Sequence, residues 1–149
     1  MDLKCIECSK RYGLDKIIYT CLDCGGLLEV VYDKGELLAN AEREENWKKL
    51  PLHVWKYYPF LPISKTSSRI TLNEGGTGLH STEKLSAFLG ISKLFIKNEG
   101  ENPTGSFKDR GMTITVTKAR ELGASTVICA STGNTSASLS AYGARGGLK

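Results

Sequence analysis

The sequence predicts an α/β protein: a parallel sheet with flanking helices, preceded by a small β-rich module held by cysteines. Three observations carry this. Two Cys-x-x-Cys pairs lie within the first 24 residues. Short apolar runs alternate with helix-like segments after residue 63. Between these regions the chain is first charged, then rich in proline and aromatics.

The elements follow in order. In residues 1–33, Lys16–Thr20 and Leu27–Tyr32 are β-branched or apolar runs beside the Cys-x-x-Cys turns, and read as strands. Residues 34–62 form the join. The charged stretch 34–50, with Glu42-Arg43-Glu44-Glu45, reads as a surface helix. Residues 51–62 hold three prolines among His53, Trp55, Tyr57, Tyr58 and Phe60, which reads as an extended connector. Residues 63–149 form the third region. Ser81 to Gly90 predicts a helix, with Leu85, Phe88 and Leu89 on one face and Gly90 as its stop. Leu94-Phe95-Ile96 reads as a buried strand. Ser106 to Gly123 predicts a second helix, with Met112, Val116, Ala119 and Leu122 at helical spacing. Thr126–Ala130 reads as another buried strand, with Cys129 in the core, and residues 134–146 as a third helix. Two or three strands leave open sheet edges. Either more chain follows, or a partner covers the edge, a second copy in a homodimer being one such partner.

The chain has 149 residues, 40% hydrophobic and 24% charged, which excludes a wholly disordered, collagenous or coiled-coil protein. No run of about 18 apolar residues is present, so no membrane span is expected. The N-terminus lacks the apolar core of a secretory signal, so a cytoplasmic location is expected. The net charge of +4 is too small to argue for nucleic acid. Residues 63–149 carry 11 basic and 6 acidic side chains, a bias that suits a small anionic ligand.

Cys5 and Cys8 are followed after twelve residues by Cys21 and Cys24. Each pair can curl as a knuckle, and two knuckles give a closed site of four sulfurs. Such a site is structural, because it leaves no open position for water. A module of about 30 residues buries too little apolar surface to hold itself, so metal binding supplies folding free energy. The quartet therefore points to zinc in a zinc-ribbon-like module, with iron the other metal of this geometry. Without a secretory signal, disulfides are not expected.

The run 98–111, Asn-Glu-Gly-Glu-Asn-Pro-Thr-Gly-Ser-Phe-Lys-Asp-Arg-Gly, leads turn formers into a helix start. Helix N-termini attract anions. Lys108, beside the bulky Phe107, is placed where a neutral amine is favoured, and a neutral amine attacks an aldehyde carbon. Ala130–Ser138 follows a strand and opens a helix, the crevice position of an open α/β sheet. Its hydroxyls and Asn134 suit a phosphate and a polar ring substituent. It is neither a dinucleotide fingerprint nor a P-loop.

The run Ser106–Gly111, preceded by Asn102-Pro103-Thr104-Gly105, resembles the cofactor-lysine motif of the fold-type II pyridoxal-phosphate enzymes, and within them the threonine synthase family. Ser131–Ser136 resembles that family's asparagine loop, and Leu72–Leu79 its early glycine loop, with Gly78 where the family usually has proline. The cysteine module is similar to one seen on some threonine synthases. The resemblance implies that Lys108 binds pyridoxal phosphate covalently and shuttles protons. It implies that Phe107 packs near the ring and Asn134 bonds its phenolic oxygen. Ser131 and Thr135 would contact the substrate, a phosphorylated amino acid. The implied reaction converts O-phosphohomoserine to threonine and phosphate. The family's second glycine loop, which cradles the cofactor phosphate, and its partner for the pyridine nitrogen lie further along the chain. These 149 residues therefore read as an N-terminal part, inactive alone.

Two other readings compete. One keeps the cofactor but changes the substrate, as in threonine dehydratases, cysteine synthases and cysteate synthases. The other is a zinc-ribbon binding module on a non-catalytic α/β remnant, but residues 1–33 lack the basic excess of a nucleic-acid binder. His53 and His80 belong to no recognisable triad and read as structural or solvated.

Overall fold

A computed structural model describes residues 1–43, 49–64 and 69–149. Strand β1 (Asp2–Cys5) lies between β2 (Arg11–Tyr12) and β3 (Leu28–Val31), antiparallel to both. Leu3 pairs with Tyr12 on one side and Val30 on the other. Alternation along the strands sends Leu3, Cys5, Tyr12 and Leu28 into a small core with Ile18 and Cys21. The run 16–20, predicted as a strand, is irregular chain with bends instead. Ile18 packs inward while Ile17 and Tyr19 are exposed. Its neighbour β2 has two residues, which give a further strand no ladder to extend along.

Helix α1 (Lys34–Arg43) follows, started by the Leu37 N–H donating to the Asp33 carbonyl. Glu44 and Glu45 of the predicted surface helix lie outside the described residues. The connector is not extended. Val54–Phe60 winds into 3-10 turns kinked at Tyr57, and buries Val54, Trp55 and Pro59. Such turns need few bonds, here Lys56 N–H to His53 O and Leu61 N–H to Tyr58 O, so prolines are tolerated between them. The Trp55 indole donates to Thr113 Oγ1 at 2.8 Å, and Thr113 donates to the Ile70 carbonyl at 2.7 Å. Arg69 stacks over Tyr58 and Trp55.

Strands β4 (Leu79–Ser81) and β5 (Phe95–Lys97) pair antiparallel around helix α2 (Glu83–Leu89). Ser81 pairs with Phe95, so the helix starts two residues later than predicted and ends as expected at Gly90. Strand β5 is exposed rather than buried, as are Phe88 and Leu89. Helices α3 (Lys108–Glu121) and α4 (Asn134–Gly146) pack on each other. Their core holds Ile70, Val116, Leu139 and Tyr142, with Met112, Val127 and Cys129 against it. Two threonines one turn apart on α3 hold the segment at Ile70: Thr113 accepts Trp55, and Thr117 accepts the Ile70 N–H at 2.9 Å.

The expected parallel sheet is absent among the described residues, which hold two small antiparallel sheets. Residues 126–130 form no strand and pair with none among the described residues, and Ile128 is 93% exposed. One parallel-type pairing exists: Lys149 donates to Ser125 O and accepts from Val127 N–H, flanking Thr126. The chain is thus α/β with small sheets. No helix among the described residues is long and apolar enough to cross a membrane.

Candidate active site and cysteine cluster

The predicted lysine stands at the first position of α3, two residues after the predicted start. Ahead of it, Glu99–Glu101 forms one 3-10 turn and Asn102–Gly105 a tight turn closed at 2.8 Å. Lys108 is half-buried, with Nζ 4.5 Å from the centre of the Phe107 ring. Among the described residues that ring is the contact of its amine. Phe107 itself is 56% exposed.

The next two residues anchor this turn. Asp109 is fully buried and accepts from the Thr104 N–H at 2.7 Å, from the Thr104 hydroxyl, and from Ser138 Oγ of α4 at 2.5 Å. Arg110 places a two-pronged fork on Glu99, both contacts at 2.7 Å. Glu99 also accepts from Thr77 Oγ1 and Asn102 Nδ2. The Arg110 guanidinium, helped by Thr77 and Asn102, holds the Glu99 carboxyl down at about 2.

The early glycine loop is tied into this network. The Gly75 N–H donates to Asn102 Oδ1 at 2.9 Å. Gly76 has φ +64°, and a Cβ there would lie 1.8 Å from the Leu52 carbonyl oxygen. The Gly78 N–H donates to Glu101 Oε2 at 2.6 Å, a bond that proline could not make. Glu74, fully buried, accepts from Thr71 Oγ1, the Leu72 N–H and the Tyr142 hydroxyl. Burial, then the Glu74 carboxylate, push the Tyr142 phenol upward.

Asn134 opens α4 and is exposed; Ser131 and Thr135 on either side are half-buried. Ser131 Oγ accepts the Gly133 N–H at 3.2 Å. Gly133 offers no side-chain cap, so the first amides of α4 are left for a ligand or water. The Asp109–Ser138 bond joins the starts of α3 and α4, the helices that carry Lys108 and Asn134. The sequence reading missed Glu74, Glu99, Asp109 and Tyr142. A signal existed for Glu74, since Thr71-x-x-Glu74 is a hydroxyl–carboxylate pair at turn spacing.

At the other end of the chain the four predicted sulfurs, of Cys5, Cys8, Cys21 and Cys24, lie within 4.8 Å of one another. A tetrahedral ion with zinc–sulfur bonds of about 2.3 Å sets its sulfurs roughly 3.8 Å apart, so the donor set fits. The two knuckles repeat each other. Ser9 N–H donates to Cys5 O as Gly25 N–H donates to Cys21 O, and both donors have positive φ. Cys5 N–H donates to Lys10 O as Cys21 N–H donates to Gly26 O. A hydrogen bond with the Tyr12 hydroxyl lowers the Cys21 thiol to about 6. Cys24, despite the Gly26 amide, is pushed up to about 12 by the Cys8 and Cys5 sulfurs.

The family model described as "Pyridoxal-phosphate dependent enzyme" matches residues 70–149, the stretch from Ile70 through both helix starts. The chain belongs to the pyridoxal-phosphate-dependent enzymes. The matched region of this family member contains Lys108, the glycine loop and the Ser131–Thr135 loop; the cysteine module precedes it. The chain is also similar to proteins named threonine synthase. It is 55% identical over 146 residues to that of Methanocaldococcus jannaschii, covering 98% of this chain and 36% of the relative. To that of Methanosarcina acetivorans it is 52% identical, covering 98% and 35%. To that of Halalkalibacterium halodurans it is 55% identical over 94 residues, covering 63% and 26%. The chain therefore spans about a third of the length of the first two relatives.

Proposed function

We propose that this chain is the N-terminal part of a cytoplasmic threonine synthase that converts O-phosphohomoserine to threonine and phosphate. The observation that carries the reading is similarity to two threonine synthases across 98% of the chain, the cysteine module included. A likeness confined to the lysine motif would leave the substrate open among related enzymes.

The residues fit the cofactor. A half-buried lysine begins one helix, an uncapped helix start begins another, and the two are bonded together. Bound there, pyridoxal phosphate supplies an electron sink for substrate carbanions. Lys108 would hold the cofactor through Nζ, and the same amine would take and return protons at the substrate carbons. Phe107 would lie beside the ring and keep water from Nζ. Asn134 would donate to the phenolic oxygen. Ser131 and Thr135 would hold the substrate phosphate or carboxylate. We place the phosphate cradle and the partner of the pyridine nitrogen in the rest of the enzyme, so residues 1–149 alone would be inactive. The segment 126–130 would sit within a parallel sheet completed there. A homodimer fits the same picture. Residues 1–33 would form a separate zinc-holding module, joined through 34–62 to the domain that starts at 63.

The test uses the intact enzyme. Phosphate release from O-phosphohomoserine is expected, with a visible cofactor band that borohydride fixes to residue 108. Lys108→Ala should abolish both the band and turnover. Ammonia release in place of phosphate, or a band that survives Lys108→Ala, would overturn the reading.

A further inference from the structure

We propose that Asp109 is a positioning residue that sets the angle between the amine of Lys108 and the start of α4. This deepens the reading above and rests on it: Lys108 is taken to hold the cofactor. Asp109 follows Lys108 directly, so any rotation of the first turn of α3 moves both. Its carboxylate is fully buried and accepts from two directions. Oδ2 takes the Thr104 N–H at 2.7 Å, and Oδ1 takes the Thr104 hydroxyl, both from the loop that precedes the lysine. Oδ1 also takes Ser138 Oγ at 2.5 Å, from the residue one turn beyond Asn134. Ser138 is itself fully buried, so water cannot replace it at Asp109 without opening the helix interface, whereas Thr104 is half-buried. A single side chain thus joins the loop before Lys108 to the helix that carries Asn134, near the start of α3 and of α4. A purely packing role would be served by an apolar residue, and a local cap would need Thr104 alone. The bond to Ser138 is what neither alternative requires.

The test separates the two halves of the joint in the intact enzyme. Ser138→Ala removes the inter-helix bond and keeps the loop bonds. Asp109→Asn removes the charge and leaves one acceptor oxygen where there were two. With that oxygen on the Thr104 N–H, an amide NH2 faces the Thr104 and Ser138 hydroxyls, and the bonds to both elements are weakened. In cofactor-free protein, Ser138→Ala should speed amide exchange at 133–138 and leave 102–107 unchanged, while Asp109→Asn should speed both. With cofactor added, Ser138→Ala should weaken cofactor binding about tenfold, as loss of a bond to a charged group allows, and move the wavelength of the visible band. Should Ser138→Ala lower the melting temperature but leave cofactor affinity and wavelength as in the parent, the residue is structural and the proposal is wrong. If Asp109→Asn does not fold, Ser138→Ala decides alone. A band that persists in Lys108→Ala sinks the cofactor reading itself, a result distinct from an unmoved band in Ser138→Ala.

Discussion

Arg110 and Glu99 face each other fork to fork, with both nitrogen–oxygen contacts at 2.7 Å. The pair ties the lysine-bearing helix to the turn ahead of it, and through Thr77 and Asn102 to the glycine loop. Because Arg110 holds the Glu99 carboxyl at about 2, below its ordinary 4.5, the folded state binds this proton less readily than the unfolded chain. The pair's contribution is therefore complete above pH 4.5 and lost as pH falls from there through about 2.

That gives a first expectation. Glu99→Gln should lower stability near neutral pH by about 1 kcal/mol, a modest figure because both side chains are roughly 30% exposed. The deficit should shrink as the pH drops from 4.5 toward 2. Denaturant midpoints at pH 7 and pH 3 measure it; an equal deficit at both would show that the ion pair is not the cause.

A second concerns the connector. Thr113→Val keeps the shape of α3 but leaves the Trp55 indole N–H buried without its acceptor. Loss of about 1–3 kcal/mol is expected, larger than for Ser64→Ala, whose hydroxyl bond to Glu121 is solvent-exposed. Urea unfolding of the two variants compares them.

The glycine loop supplies a third. Gly76→Ala must bring a Cβ to 1.8 Å from the Leu52 carbonyl at a positive φ. Strain of this kind costs about 1–3 kcal/mol before any clash is counted. Gly111→Ala, with open space around its Cβ, should be tolerated. Melting temperatures should therefore separate the two widely.

The cysteine quartet supplies a fourth. The protein should hold about one equivalent of zinc per chain, and Cys8→Ser should lose it. Chelation should then release the amides of residues 1–33, since metal binding and folding are one process in small modules. Elemental analysis with amide exchange tests this. A metal-free protein with residues 1–33 still protected would show that the sulfurs pack unaided.

Part of the local geometry could be read from residue order, because spacing curls the cysteine pairs and sets the helix starts. Two Cys-x-x-Cys pairs encode two knuckles, and the structure converges their four sulfurs. Lys108 and Asn134 were both expected at helix starts and are found there, with α4 at its predicted limits. What local pattern could not supply was partner choice. Leu94–Ile96 has strand-forming side chains, but pairing with Leu79–Ser81, not the residues themselves, decides that it is antiparallel and exposed. Residues 126–130 have the same character and pair with no strand among the described residues. The prolines of the connector suggested an extended chain, while the buried indole of Trp55 favoured tight turns that bring it to Thr113. The buried acids were illegible for a similar reason. Asp109 and Glu74 look like surface charges until hydroxyls distant in sequence close over them.

Three consecutive residues at the start of α3 thus have three separate bearings: Lys108 over the Phe107 ring, Asp109 inward to α4, Arg110 back to the turn at Glu99. A helix rotates about 100° per residue. One residue inserted or deleted between them would leave the helix content untouched yet swing each side chain onto a neighbour's bearing. Drift through insertion and deletion is therefore closed to this triplet, while point changes on the outer surface of the same helix stay open.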